Sequence, residues 1–581
     1  MAKDAGVRVG GQDRVHLGAA MLLAIAFGTL ASIHLDRPGF FDNEGRYAEV
    51  AREMLVRHDL VTPEMNQTLF LNKPPLMYWL VAGAFAVGAS DEWARVASVL
   101  AAMVSVFFTC RLGARLFDGI TGLIAGAFLG TMFGFVLEAR TLRPDGWLVA
   151  SVVAALYCWR AAEDAEDGRR TPWLALGWAW LAVGFMTKGA VPVAVVAIPV
   201  TVCTVRDHGW RGVGRLRPLV GLAVFALVAA PWHVAVALRH PGFAWDYIVN
   251  QHLLFIFDKK LPRDSVGDPL GVFWPMFLGR SMPWIILVPF TVREALSGRR
   301  RDASPIERSV FLCWTWAVGV MLMFSAIPSR LEHYSLPALP AVALLAARGS
   351  RRLAAGVVGP LGWAWLGAIA VGLLAAGVVG AFWAHDLLAR VYWLKAMPAL
   401  LDLLPASTAV TLLGGAILAW SVRRHTAAGV AIALLTVGLP MMAIVLRAQA
   451  DAEPFFSWRP LARVIDARIP GSMEIVFEAP EEYQLVGGLA YYTRRRITML
   501  APPHGFTPPT YLEPYRDGLF LERAEFARRW AGPDALAFVS DPQRRRDTPD
   551  GLVPGPFHVL DRSGDRWLLT NRDIPGTRSE G

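Results

Sequence analysis

The sequence predicts a helical membrane protein of about thirteen spans followed by a small α/β domain, and three observations predict it. Hydrophobic residues make up 54% of the 581 positions and charged residues only 18%, with a mean hydropathy of +0.39. Such a chain needs a bilayer as its solvent. Apolar runs of membrane-crossing length recur along the first 447 residues. The arginines, finally, fall in alternate short loops between those runs.

A helix needs about 20 apolar residues to cross the hydrocarbon core, and fewer where protein covers its ends. On that ruler the spans lie near 17–35, 93–116, 119–136, 146–162, 172–187, 190–205, 215–237, 273–293, 308–326, 335–348, 357–381, 407–422 and 427–447. The first run ends in Ser32-Ile33-His34-Leu35 rather than in a small-residue cleavage site, so it reads as a retained span. Short cytoplasmic loops retain Lys and Arg. With the N-terminus inside, every even-numbered span leads into such a loop, at Arg111/Arg115, Arg160/Arg169/Arg170, Arg206/Arg211/Arg215/Arg217, Arg299/Arg300/Arg301, Arg348/Arg351/Arg352 and Arg423/Arg424. The loops 36–92 and 238–272 and the residues after 448 then lie on the outer side. The net charge of +9 is a topology signal and not the footprint of a nucleic-acid binder.

The boundaries read from composition are a membrane bundle over 1–447, including the outer loop 36–92, and an outer domain over 448–581. Met473–Phe477 and Ala535–Val539 have strand character, and Arg562–Arg566 reads as the turn of a hairpin between 557–560 and 567–569. Cys110, Cys158, Cys203 and Cys313 sit in apolar runs without metal-ligand spacing, as small buried hydrophobes.

The first outer loop carries most of the chemistry. From Phe41 to Leu55, Tyr47, Val50, Ala51, Met54 and Leu55 recur at helical spacing, with Arg46, Glu49, Arg52 and Glu53 on the other side. That pattern predicts a helix in the membrane interface, its apolar face on lipid or on the bundle, capped by Asp42 or Asn43. A carboxylate beside Arg46 commonly serves as a cap, and is also placed to act as a general base for an attacking hydroxyl. Lys73 precedes the stiff Pro74-Pro75, which holds its ammonium at headgroup depth, where it suits a lipid phosphate or simply snorkels.

These elements resemble a known family. Asn43-Glu44-Gly45-Arg46-Tyr47-Ala48-Glu49, Arg52-Glu53-Met54-Leu55 and Lys73-Pro74-Pro75-Leu76 look like the first outer loop of the bacterial lipid-linked sugar transferases. That group includes the aminoarabinose transferase that modifies lipid A and, more distantly, the protein O-mannosyltransferases. Glu138–Asp145, Gly184–Gly189, Asn250–Leu253, Pro283-Trp284 and Ser329–Pro337 resemble later elements of the same family, so the likeness covers roughly residues 30–345.

The resemblance implies a GT-C fold, a polyprenyl-phosphate sugar as donor, an acceptor that is lipid A, another glycolipid, a glycan or a protein, and transfer at the outer face of a bacterial inner membrane. It assigns Asp145 to the active-site region; on the reading of the residues themselves, Lys73, Arg140, Arg143, Lys188 and Arg330 would hold the donor phosphate. Arg46, His252 and Tyr334 are further polar contacts. Arg140, Arg143, Lys188 and Arg330 defy the positive-inside trend on the outer face, as cations around a phosphate would.

The family usually has Asp-Glu where this chain has Asn43-Glu44. Asp42, one residue earlier, and Glu44 are therefore both candidate bases. Asn72 occupies an often acidic position, which leaves open whether a divalent metal takes part; no other cofactor is implied. The rival reading is a transporter or flippase of a lipid-linked anion, which would expose its site to both faces.

Overall fold

The computed structural model describes residues 4–262, 267–388, 390–391, 398–478, 483–502, 509–515, 517–540 and 548–574; the side chain of Asp42 lies outside the described set. The chain forms two compact units. The first comprises residues 1–33, 98–231 and 268–448; the second comprises 34–97, 232–267 and 449–581. This division cuts across the boundary read from composition, because the first outer loop groups with the C-terminal residues.

In the first unit, a helix or a bent helix pair stands at each predicted span. Seven helices of the described chain are long and apolar enough to cross a membrane, or nine if each of two bent pairs is one span. The remaining predicted spans are helical but shorter or bordered by charge, such as Asp145–Asp164, which carries Arg160, Glu163 and Asp164 in its last turns. Close helix crossings use small residues, as membrane packing requires. A Cβ on Gly122 would lie 2.3 Å from the Cys110 carbonyl oxygen, so only glycine lets helices Val96–Leu116 and Gly119–Leu129 approach this far. All four cysteines are free and buried.

Two spans drawn straight from the sequence are bent. Gly119–Leu129 meets Phe133–Ala139 at 69°, and Leu270–Arg280 meets Trp284–Ser297 at 97°. At the second break Pro283 has no N–H to continue the helix; at the first, the Thr131 hydroxyl donates to the Ala127 carbonyl. The breaks satisfy each other. The Phe133 amide donates to the Met282 carbonyl at 3.2 Å, the Trp284 indole donates to the Thr131 hydroxyl at 2.8 Å, and the Trp284 ring stacks on Phe128 at 3.7 Å. Irregular backbone persists at membrane depth only when paired in this way.

In the second unit, the predicted interfacial helix spans Asp42–Val56. Tyr47, Val50, Ala51 and Met54 are buried as the spacing requires, but Glu49 and Glu53 on the opposite side are buried too, so neither face is free. Phe41, and not Asp42 or Asn43, occupies the cap position, where its amide donates to Glu44 Oε2 at 2.9 Å. A Cβ on Gly45 would lie 2.3 Å from Gly488 Cα, which fixes the contact with helix Val486–Thr493.

The hairpin β1 (Glu64–Met65) and β2 (Thr68–Leu69) turns through Asn66 and Gln67, both at positive φ. Asn66 then exchanges two hydrogen bonds of 2.8 Å with the backbone of Ile497. Strands β3 (Glu474–Glu478), β4 (Thr498–Leu500), β5 (Leu536–Val539), β6 (His558–Ser563) and β7 (Arg566–Thr570) form one sheet in the order β4-β3-β5-β7-β6. β3 runs parallel to β4 and β5, whereas β7 is antiparallel to β5 and β6. Val476, Phe526, Trp530, Phe538 and Leu569 fill its core.

Candidate functional site

In the first unit, chain breaks bring together charges from five helical elements and the loop that carries Arg143. Pro144 precedes and Asp145 begins the helix Asp145–Asp164, and this carboxylate is buried. Lys188 ends the helix Asp167–Lys188, which stops because Gly189 turns to a φ of +64°. The Lys188 ammonium donates to Asp145 Oδ1 at 2.5 Å and stands 4.4 Å from the centre of the Tyr334 ring. Arg143 pairs with Glu138 at 2.6 Å, and Arg280 pairs with Glu332 at 2.9 Å.

His333 Nδ1 lies 3.5 Å from Glu332. Burial, and next to it the positive charge of Arg143, push the His333 imidazole down to about 4, so it is neutral at pH 7. Glu138 Oε1, Arg143 Nε and Arg280 Nε are buried without a hydrogen-bond partner among the described residues. These atoms keep hydrogen-bonding capacity that a polar ligand could use.

Two cations expected at a phosphate also donate to backbone. Arg140 donates to the carbonyls of Ala31 and Ile33 at 2.6 and 2.7 Å, closing the C-terminal end of the first helix. Arg330 donates to the carbonyls of Phe324, Ser325 and Asp268, which stitches the loop before Glu332. In both cases main-chain oxygens hold the guanidinium in place.

In the second unit, Glu44 is likewise engaged. Arg95 Nε and Nη2 donate to its two oxygens at 2.8 and 2.6 Å, with both side chains only 2% exposed. Arg95 also donates to the carbonyls of Leu35, Pro38 and Gly39 and so ties down the whole entry to the helix Asp42–Val56. A carboxylate held as a fork against a buried guanidinium is already engaged as its counter-ion. Arg46 donates to Gln484 and lies over the Tyr47 ring.

Lys73 is half-buried and follows Asn72, whose Oδ1 accepts a hydrogen bond from Tyr511 at 2.8 Å. His252 lies on a π-helical segment, Asp246–Leu254, of the kind that often marks functional sites. Its Nδ1 is 2.6 Å from the Tyr247 carbonyl oxygen, and burial, assisted by the charge of Lys73, lowers its pKa. Asn250 holds Asp246 at 2.7 Å. Among the described residues, no three His, Cys, Asp or Glu side chains converge as a metal site would require, and Asn72 is committed to Tyr511.

Sequence reasoning missed Arg95, Arg280, His333 and Tyr511. An arginine at 280, inside an apolar run, carried a usable signal, since an ionisable residue at membrane depth demands a partner. Glu53, on the side of the helix opposite its apolar face, is buried. Burial, and secondarily the charge of Glu49, push it up to about 8. The folded state therefore holds this proton more tightly than the unfolded chain, which releases it near 4.5. Stability from this group is complete below about pH 4.5 and is lost as the pH rises to about 8. The melting temperature of Glu53→Gln is expected to exceed that of the parent by at least about 2 °C at pH 8.5, and by less at pH 5.5.

A family model described as dolichyl-phosphate-mannose-protein mannosyltransferase matches residues 72–234. The crystal structure of ArnT from Cupriavidus metallidurans bound to undecaprenyl phosphate superposes with a TM-score of 0.76 at 20% identity, covering 97% of this chain and 98% of that one. The chain is a GT-C polytopic membrane protein. An archaeal oligosaccharyltransferase, AglB from Archaeoglobus fulgidus, solved with an inhibitory peptide and a dolichol-phosphate, has the same fold at a TM-score of 0.52 and 12% identity, over 91% of this chain and 69% of that one.

In sequence, the GT-C chain is 30% identical over 345 residues to an undecaprenyl phosphate-alpha-4-amino-4-deoxy-L-arabinose arabinosyl transferase of Pseudomonas fluorescens. It is 28% identical over 348 residues to the protein of that name in Erwinia tasmaniensis. These matches take in 56% and 58% of this chain and span 58% and 60% of the two relatives. The resemblance seen in the ordered motifs is thus found again over a little more than half of the sequence and over nearly the whole fold.

Proposed function

We propose that this protein transfers a glycosyl group from a polyprenyl-phosphate-linked sugar to an acceptor at the outer face of a bacterial inner membrane. The strongest support is the fold shared over 97% of the chain with a protein crystallised on undecaprenyl phosphate. The arginine pattern supports thirteen spans, a cytoplasmic N-terminus and an outer C-terminal sheet. The acceptor class includes lipid A, which the resemblance to the aminoarabinose transferases favours.

In the reaction, an acceptor oxygen attacks the anomeric carbon from the face opposite the phosphate, with inversion. The bond from that carbon to the phosphate oxygen breaks, and its electron pair leaves with the polyprenyl phosphate. The acceptor's proton passes to a carboxylate, which we assign to Asp42, because Glu44 is occupied by Arg95. Lys73, held by the rigid Pro74-Pro75, stabilises the departing phosphate charge. Asp145 orients the donor, kept ionised by Lys188.

The test is incubation of the purified protein in detergent with a labelled undecaprenyl-phosphate sugar and a glycolipid extract. Covalent transfer of label is expected; label that only moves across sealed vesicles would make the protein a carrier. Lys73→Ala is expected to raise the KM for donor by about tenfold or more while the KM for acceptor stays within about twofold, as the loss of a charge-assisted contact to phosphate predicts.

A further inference from the structure

Lys73 can serve a phosphate only if the chain before it is held still, and the sequence offers nothing nearby to hold it. The structure does. Tyr511, on the short helical segment Thr510–Tyr515, is 1% exposed. Its hydroxyl donates to Asn72 Oδ1 at 2.8 Å and accepts from the Leu71 amide at 3.3 Å. One buried phenol thus fixes both residues that immediately precede Lys73, and Pro74-Pro75 stiffen the two that follow.

The same segment also meets the other side of this region. Gly242, at a φ of +90°, passes so close that a Cβ there would lie 3.0 Å from the Thr510 carbonyl carbon and oxygen. Gly242 caps the turn that leads into the π-helical segment bearing His252, and His252 senses the charge of Lys73. Thr510 and Tyr511 therefore join the Lys73 loop and the His252 helix at one point.

We infer that Tyr511 is a positioning residue that sets the Lys73 ammonium for the phosphate of the lipid-linked donor, an inference that rests on the glycosyl-transfer reading above. Its hydroxyl does not touch substrate; it acts through Asn72 and the Leu71 amide. Removing that hydroxyl leaves the ring in place, so the buried packing survives while Asn72 and Leu71 lose their common partner.

The experiment compares the full-length parent, Tyr511→Phe, Lys73→Ala and the double variant, each purified in detergent. Tyr511→Phe is expected to raise the KM for donor by about tenfold with kcat within about twofold and the KM for acceptor unchanged. In the Lys73→Ala background, Tyr511→Phe should add no more than about a further twofold, because the residue it positions is gone. A loss of kcat without a change in KM, or effects of the two substitutions that multiply in full, would overturn the assignment and leave Tyr511 a packing residue.

Binding of undecaprenyl phosphate alone, followed by quenching of tryptophan fluorescence, separates this inference from the reading beneath it. If the parent binds the lipid but transfers no sugar, the glycosyl-transfer reading fails. Tyr511→Phe must then still weaken lipid binding about tenfold for the positioning role to stand. Unchanged binding refutes it.

Discussion

Asp42→Asn will lower sugar transfer by about 10²–10⁴-fold while the protein accumulates in the membrane as before, the loss expected when a positioned general base is removed. Glu44→Gln will fail differently: folded protein will be lost. The two residues lie two positions apart at the start of one helix, and the partners of Glu44 give it structural work. Glu44 neutralises Arg95, a guanidinium 2% exposed that also binds three carbonyls of residues 35–39.

Replacing that carboxylate by an amide strands a buried positive charge, which costs about 3–5 kcal/mol. Detergent-solubilised Glu44→Gln should melt several degrees below the parent and retain transfer per folded molecule. Thermal denaturation and transfer assays on the same preparations decide the matter. Asp42→Asn with full activity, or stable but inactive Glu44→Gln, would reverse the assignment of the base.

The contrast also shows what a sequence can convey about this chain. Helices were legible wherever apolar residues ran long enough to cross a bilayer, and the helix Asp42–Val56 was legible from spacing alone. The bends were not. Gly130-Thr131 and Met282-Pro283 lie inside apolar runs drawn as straight spans, and only their mutual hydrogen bonds make two sharp breaks affordable at membrane depth.

Burial of Glu49 and Glu53 was hidden for a related reason. Helical periodicity assumes one wet face, and the packing of Gly45 on Gly488, more than 400 residues away in the chain, removes it. Among the site residues, sequence position could mark Arg140 and Arg330 as unexpected outer cations. It could not show that both also donate to main-chain carbonyls.

Asp145 and Lys188 pose the converse question, because a buried ion pair can be structural, functional or both. Asp145→Asn alone and Lys188→Met alone each leave one buried charge without its partner, and each should lower the melting temperature. In Asp145→Asn/Lys188→Met neither charge remains, so stability should return close to that of the parent. Activity is the discriminating readout. If the pair serves only to hold the helices Asp145–Asp164 and Asp167–Lys188 together, transfer will recover along with stability.

We expect it to stay about a hundred- to a thousandfold below the parent, the scale of removing one preorganised electrostatic contact to a reacting group. The neighbouring atoms argue for that outcome. Around the pair, Glu138 Oε1, Arg143 Nε and Arg280 Nε lie buried without hydrogen-bond partners among the described residues, in the same cluster as Tyr334 and a neutral His333. A polar ligand would complete those bonds, and the double variant, folded but unable to complete them, isolates that contribution from stability.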